Sequence, residues 1–227
     1  MPELDGTTTQ SGISYQNLYA ALRVADMLSG QDLPVTSKII GVRVEAPVNV
    51  DDVVVTYEDG HRDYVQAKEN LSATGETWNK IWSEFLHEYE EHNFNRQNNR
   101  LILCVGCENK ENFVLLEEMF ESVEGRQNLN EWLSRLRKNV KLWELWTGKI
   151  NKLFDKGKPL ESLISDSSDS DIDNPDSQTS AKWAFLRCVR VQVRSRELLQ
   201  RKALFTLPSS QNDNGLNSRL HTSFDSV

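Results

Sequence analysis

The chain has 227 residues, 38% of them hydrophobic and 26% charged, with a formal net charge of −8. That suffices for one medium domain with a packed core, and it excludes a helical membrane protein, because no run approaches the roughly 18 apolar residues that span a bilayer. Three cysteines are too few and too odd a count for a disulfide framework, and the polar, acidic start "MPELDGTTTQSG" is no signal peptide, so the sequence reads as cytoplasmic.

Residues 1–11 read as a flexible N-terminus. Residues 14–31 are predicted to form the first helix: Ser14 suits an N-cap, Leu18, Leu22 and Ala25 recur at helical spacing, and Gly30 lies near the end. Tyr15 and Gln16 read as helix-packing residues. A strand is predicted over 37–46, a turn at Pro47 and Asn49, a second strand over 52–58 and a third over 61–70. Asp59-Gly60 is a hairpin signal between the last two. A helix followed by an antiparallel meander is therefore expected, with His61 solvated beside the hairpin turn.

Residues 76–92 are predicted helical, with Trp78, Trp82, Phe85 and Tyr89 on one stripe. "RLILCVG" (100–106) is continuously apolar, as a strand in the middle of a sheet is. Cys104 and Cys107 form a C-x-x-C, but no second pair follows, and Cys104 reads as a core thiol near a strand end. Helices are expected at 111–122, 127–139 and 141–155, with Trp132, Trp143 and Trp146 as core anchors. "SDSSDSDIDNPDSQTS" (165–180) lacks apolar periodicity and reads as a disordered acidic loop. A strand over 182–195 and a helix over 196–205 close one domain spanning 12–205, and 206–227 reads as a polar tail or linker. The expected fold class is α/β, a mixed central sheet flanked by helices.

The acidic balance is local. Glu161, Asp166, Asp169, Asp171, Asp173 and Asp176 fall in one stretch, and without them the net charge would be −2. Residues 182–202 carry Lys182, Arg187, Arg190, Arg194, Arg196, Arg201 and Lys202 against Glu197 alone. Global charge thus leaves a polyanionic ligand open, with the basic stretch either a solvated face or a phosphate-contacting one.

The third strand raises the functional question. Side chains alternate along a strand, so Tyr64, Gln66 and Lys68 share one face and Val65 and Ala67 the other. Asp52 opens the hairpin partner, and Glu45 ends the strand before it. Three adjacent strand ends thus gather Glu45, Asp52, Gln66 and Lys68. Carboxylate and amide oxygens are hard ligands suited to Mg²⁺ or Mn²⁺, and a lysine beside them can orient water or stabilise charge developing on phosphate. The bland readings are turn chemistry for Asp51 and Asp52 and a surface ion pair between Glu45 and Lys68, worth roughly 0.2–1 kcal/mol.

The pattern of Glu45, Asp52 and "QAK" at 66–68 resembles the PD-(D/E)xK superfamily of restriction-endonuclease-like proteins, in its Mrr-like branch with Gln in place of the acid. More narrowly, "GISYQNLYAALRVA", "VEAPVNVDDVVVTYEDG" and "YVQAK" are similar to the N-terminal double-stranded-DNA endonuclease domain of bacterial antiphage effectors, of the CBASS and NTPase-coupled kinds. The resemblance covers roughly residues 12–205, and its specific part is the first third; the "PD" dipeptide itself is absent, since Val50 and Asp51 precede Asp52. It implies a restriction-endonuclease-like core and a Mg²⁺-dependent endodeoxyribonuclease, with Mn²⁺ able to substitute. Asp52, Glu45 and Gln66 would hold the metal and Lys68 would act on water or phosphate; Asp51 is the rival to Asp52. It further implies double-stranded DNA as substrate, a homo-oligomer, and a regulatory sensor or ATPase partner, fused or in trans. The alternative is a catalytically weak nuclease-fold module acting in assembly or DNA binding.

Overall fold

The computed structural model describes residues 5–29, 37–50, 52–106, 111–155 and 175–206. Five strands form one mixed sheet in the order β1-β2-β3-β4-β5: Ile39–Val44, Val53–Tyr57, Arg62–Lys68, Arg100–Val105 and Val189–Val193. The first three pair antiparallel, and β3–β4 and β4–β5 pair parallel. The register aligns Val44 with Val53 at one end, and Lys68 with Val105 with Val193 along the same edge. The carboxyl ends of β1, β3, β4 and β5 and the start of β2 therefore share one border of the sheet.

The alternation of each strand sorts its side chains between two helical layers. Helix α1 (Asp5–Ser29) and the last helix cover one face, where Tyr15, Tyr19 and Leu22 pack on Val53, Val55, Val65, Ala67, Ile102 and Cys104. Helices α2 (Glu76–Glu90), α3 (Glu111–Glu121), α4 (Leu129–Leu136) and α5 (Val140–Leu145) belong to the other side, whose core holds Tyr64, Leu101, Leu103 and Val105 from the strands. The tryptophan stripe of α2 is its centre. Trp82 lies 5.4 Å from Trp78, stacks on Phe120 at 5.8 Å and meets Phe85 edge-on at 5.8 Å. Trp82→Ala is expected to cost about 3–5 kcal/mol, read as a lowered midpoint in chemical denaturation. Trp82→Phe should cost much less, because the buried indole N–H finds no acceptor among the described residues.

Several expectations are corrected. Helix α1 begins at Asp5, since no proline interrupts the polar run before Ser14; Ser14 lies within the helix rather than capping it, and its hydroxyl accepts from Arg196 at 2.9 Å. The helix expected over 141–155 is interrupted: a π-helical turn, Trp146–Ile150, separates α5 from α6 (Asn151–Asp155). Trp143 is half-buried beneath the Arg137 guanidinium, whereas Trp132 and Trp146 are core residues as expected. The strand expected over 182–195 is only β5, because α7 (Pro175–Cys188) precedes it directly. A short apolar run such as "WAFL" suits either period. Here the helical one wins, setting Trp183 5.9 Å from Trp132 and Phe185 5.4 Å from Tyr89. Residues 175–180 of the expected acidic loop are thus helical, while 165–174, Asp51, Cys107 and the tail from 207 lie outside the described residues. Helix α8 (Arg196–Thr206) is as predicted. No helix among the described residues is long and apolar enough to cross a membrane.

At the far end of the hairpin, Gly60 takes the turn with φ +85°, which only glycine adopts freely. His61 is not solvated as expected: it pairs with Asp59 and stacks on Tyr57 with ring centres 3.9 Å apart. The Tyr57 hydroxyl donates to Asp63 at 2.6 Å and accepts from Arg23 at 2.8 Å. Burial raises the Asp63 carboxyl above the usual aspartate range, against the pull of Tyr57 and Arg23. The unfolded chain therefore releases this proton first, and stability falls as pH rises from the ordinary aspartate value through the raised native one. Asp63→Asn is expected to flatten that part of the stability–pH curve in denaturant titrations; an unchanged slope would contradict it.

Candidate active site at the carboxyl edge of the sheet

Just beyond the last ladder pair of the hairpin, Val53 with Val65, the Asp52 side chain turns toward β3. Its Oδ2 accepts from the Ala67 backbone N–H at 2.8 Å and from Lys68 Nζ at 2.8 Å. Oδ1 has no donor among the described residues. The Asp52 side chain is 11% exposed and that of Lys68 31%, so the pair sits at a rim between core and solvent. The ion pair weighed between Glu45 and Lys68 is therefore made by Asp52 instead.

The backbone of Asp52 is also gripped. Its carbonyl accepts from Gln16 Nε2 at 2.7 Å and from the Glu45 N–H at 3.1 Å. Gln16 is buried on α1, and beyond packing it fixes the strand start that carries the carboxylate. Glu45 takes a positive φ of 50°, the one non-glycine residue to do so among the described residues. That left-handed turn lets the chain leave β1 while its N–H still reaches Asp52. The Glu45 carboxylate is exposed and has no partner among the described residues.

Gln66 shares the face of Tyr64, as alternation requires, and is 2% exposed. Its Nε2 donates to Glu84 Oε2 of α2 at 3.2 Å, and the other Glu84 oxygen lies 3.4 Å from Lys80 Nζ. The structure thus brings Asp52 and Lys68 together, sets Gln66 two residues before Lys68 on the same face of β3, and places Glu45 alongside Asp52 through its backbone. It adds Gln16 and Glu84, whose part in the site the sequence pattern does not reveal. Among the described residues no three His, Cys, Asp or Glu side chains are grouped to hold a metal ion.

A second layer of contacts holds this border rigid. Arg196 of α8 grips both Glu69 oxygens, at 2.7 and 2.9 Å, one residue past Lys68. The Tyr15 hydroxyl donates to the Arg194 carbonyl at 2.6 Å. Gly106 N–H closes on the Lys68 carbonyl at 3.0 Å, and a Cβ at Gly106 would sit 2.9 Å from the Glu69 carbonyl oxygen. Only glycine fits there. Cys104 is fully buried next to Tyr15; burial pushes its thiol up to about 12, which leaves a core group and no nucleophile.

The basic stretch is partly committed to the fold. Arg190, Arg194 and Arg196 pair with Glu124, Glu117 and Glu69 at 2.7, 2.8 and 2.7 Å, whereas Arg187, Arg201 and Lys202 are exposed.

No protein-family model matches the chain, and no curated protein matches it. Among solved structures, the chain is similar to the Cap4 SAVED/CARF-domain containing receptor of Acinetobacter baumannii, solved with the cyclic trinucleotide 3'3'3'-cAAA. The TM-score is 0.45 and the identity 18%, over 93% of this chain and 38% of that one. The chain thus spans well under half of that receptor's length.

Proposed function

We propose that this chain is a metal-dependent endodeoxyribonuclease acting on double-stranded DNA, as its resemblance to restriction-endonuclease-like effector domains implies. The observation that carries the reading is the Lys68 ammonium held 2.8 Å from Asp52 Oδ2 at the border of the sheet, with the buried Gln66 two residues before Lys68 on the same face of β3.

The donor set suits a hard divalent cation. Asp52 Oδ1 and Gln66 Oε1 are oxygens that no described residue engages, and Mg²⁺ typically takes one or two carboxylates, keeps several waters and completes its shell with substrate phosphates. Asp52 and Gln66 would hold the ion, with the exposed Glu45 carboxylate at hand from the neighbouring turn. Bound there, Mg²⁺ supplies Lewis acidity and a water of lowered pKa. Lys68 has three N–H donors and gives one to Asp52, so two remain to meet a phosphate oxygen as charge builds on it. Gln16 and the Glu45 N–H hold the Asp52 backbone, so the carboxylate does not have to reorganise when phosphate arrives.

The test is closed circular plasmid incubated with the purified chain and Mg²⁺, with EDTA as control. Nicking or linearisation that EDTA stops is expected. No cleavage with Mg²⁺ or Mn²⁺, from the single chain or from copies joined together, overturns the reading in favour of an assembly or DNA-binding module. Activity only on DNA with free ends would make it an exonuclease.

A further inference from the structure

The Gln66–Glu84 hydrogen bond is the least expected contact at this border. A carboxylate only accepts hydrogen bonds, so the Gln66 amide must turn its NH₂ toward Glu84. That fixes the amide's orientation and leaves Oε1 as an acceptor that no described residue engages. Charge points the same way. The negative charge of Asp52 is already offset by Lys68 at 2.8 Å, and Gln66 is neutral. A divalent ion beside these three would have only the exposed Glu45 carboxylate of the neighbouring turn to compensate it. Glu84 is a further carboxylate whose side chain touches the group: Lys80 lies 3.4 Å from its other oxygen but is 73% exposed, so water screens that pair more than it screens Lys68 with Asp52, and a negative partner on an amide N–H raises the electron density of its carbonyl oxygen.

We infer that Glu84 is a positioning residue for the metal: it locks the Gln66 amide with Oε1 toward the ion and supplies, one hydrogen bond away, the charge that the amide lacks. This rests on the nuclease reading above. Outer partners of this kind set ligand orientation and basicity, and their loss commonly weakens metal binding by about 10–100-fold. The pair therefore acts as one ligand split over two residues, with Gln66 presenting the oxygen and Glu84 the charge.

The experiment measures Mn²⁺ binding to the whole chain without DNA, by the electron paramagnetic resonance signal of free Mn²⁺. Glu84→Ala is expected to weaken binding about 10–100-fold. Glu84→Gln retains an acceptor for the Gln66 amide and should fall between Glu84→Ala and the wild type. The exchange Gln66→Glu with Glu84→Gln moves the charge to the inner position and should recover most of the affinity. Gln66→Glu alone sets two carboxylates against each other, so its binding should become steeply pH-dependent. Glu84→Ala binding as tightly as wild type overturns the inference and leaves the nuclease reading standing. Equal losses in Glu84→Ala, Glu84→Gln and the exchange, each following the drop in melting temperature, also overturn it, since a merely structural contact behaves so. Failure of the wild-type chain to bind Mn²⁺ overturns both.

Discussion

Lys68→Ala is expected to slow plasmid nicking by at least about 10²–10³-fold, the usual effect of removing one well-placed donor to a charge that develops during reaction. The fold should survive. Without the ammonium, Asp52 Oδ2 keeps the Ala67 N–H, and the carboxylate lies near enough to solvent to be hydrated. Circular dichroism and a melting curve close to wild type are expected alongside the lost activity. Asp52→Asn should be at least as severe: it removes the charge facing Lys68 and the carboxylate oxygen offered to the metal. Lys68→Arg tests geometry rather than charge. The guanidinium is longer and planar, so the contact to Asp52 moves, and most of the rate should still be lost. Gln16→Ala is expected to do less harm, since the Glu45 N–H still holds the Asp52 carbonyl. Cleavage by Lys68→Ala at the wild-type rate under saturating Mg²⁺ would remove this lysine from the chemistry and with it the assignment of the site.

Much of this site is legible because strands obey a rigid rule. Period-two alternation alone puts Gln66 and Lys68 on one face, and the Asp59-Gly60 turn brings Asp52 opposite them. The aromatic stripe of α2 and the apolar run of β4 are legible for the same reason: burial demands a period, and the period can be read. Glu84 is not. It is one of four glutamates in 76–90, and its reach to Gln66 depends on how α2 crosses the sheet, a long-range fact with no local signature. Gln16 is similar, since nothing in "SYQNLY" announces a hydrogen bond to a carbonyl 36 positions away. The basic stretch misleads in the same manner. Its spacing shows charge, but only tertiary structure reveals that Arg190, Arg194 and Arg196 face glutamates. "WAFLRC" fails for another reason: a short apolar run fits both periods, and packing against Trp132 and Tyr89 decides.

Joining copies of the chain is expected to raise cleavage far more than in proportion to the number of sites. Affinity for duplex DNA comes mostly from phosphate contacts that release counterions, and a cation withdrawn into an internal ion pair no longer reaches a phosphate. Three arginines of the most basic stretch are withdrawn in this way, and the net charge is −8. Arg187, Arg201 and Lys202 remain exposed there, while Lys68 and Lys80 at the site are shared with Asp52 and Glu84. So few phosphate contacts from this stretch give weak binding, already marginal at low salt and weaker still as salt rises. Tethering makes the second and later contacts intramolecular, which raises avidity by about 10²–10⁴-fold where the geometry allows both to engage. The expected result is slow nicking by the single chain that disappears as salt approaches physiological strength. The same chain fused to a tetrameric scaffold should cleave rapidly at equal site concentration, with double-strand breaks among its products. The fusion should still cleave at physiological salt, because its higher avidity outweighs the steeper salt dependence that its additional phosphate contacts bring. Equal rates per site for the two forms, at low and at physiological salt, would mean that the single chain already binds DNA well, and regulation would then have to act on the metal site rather than on assembly.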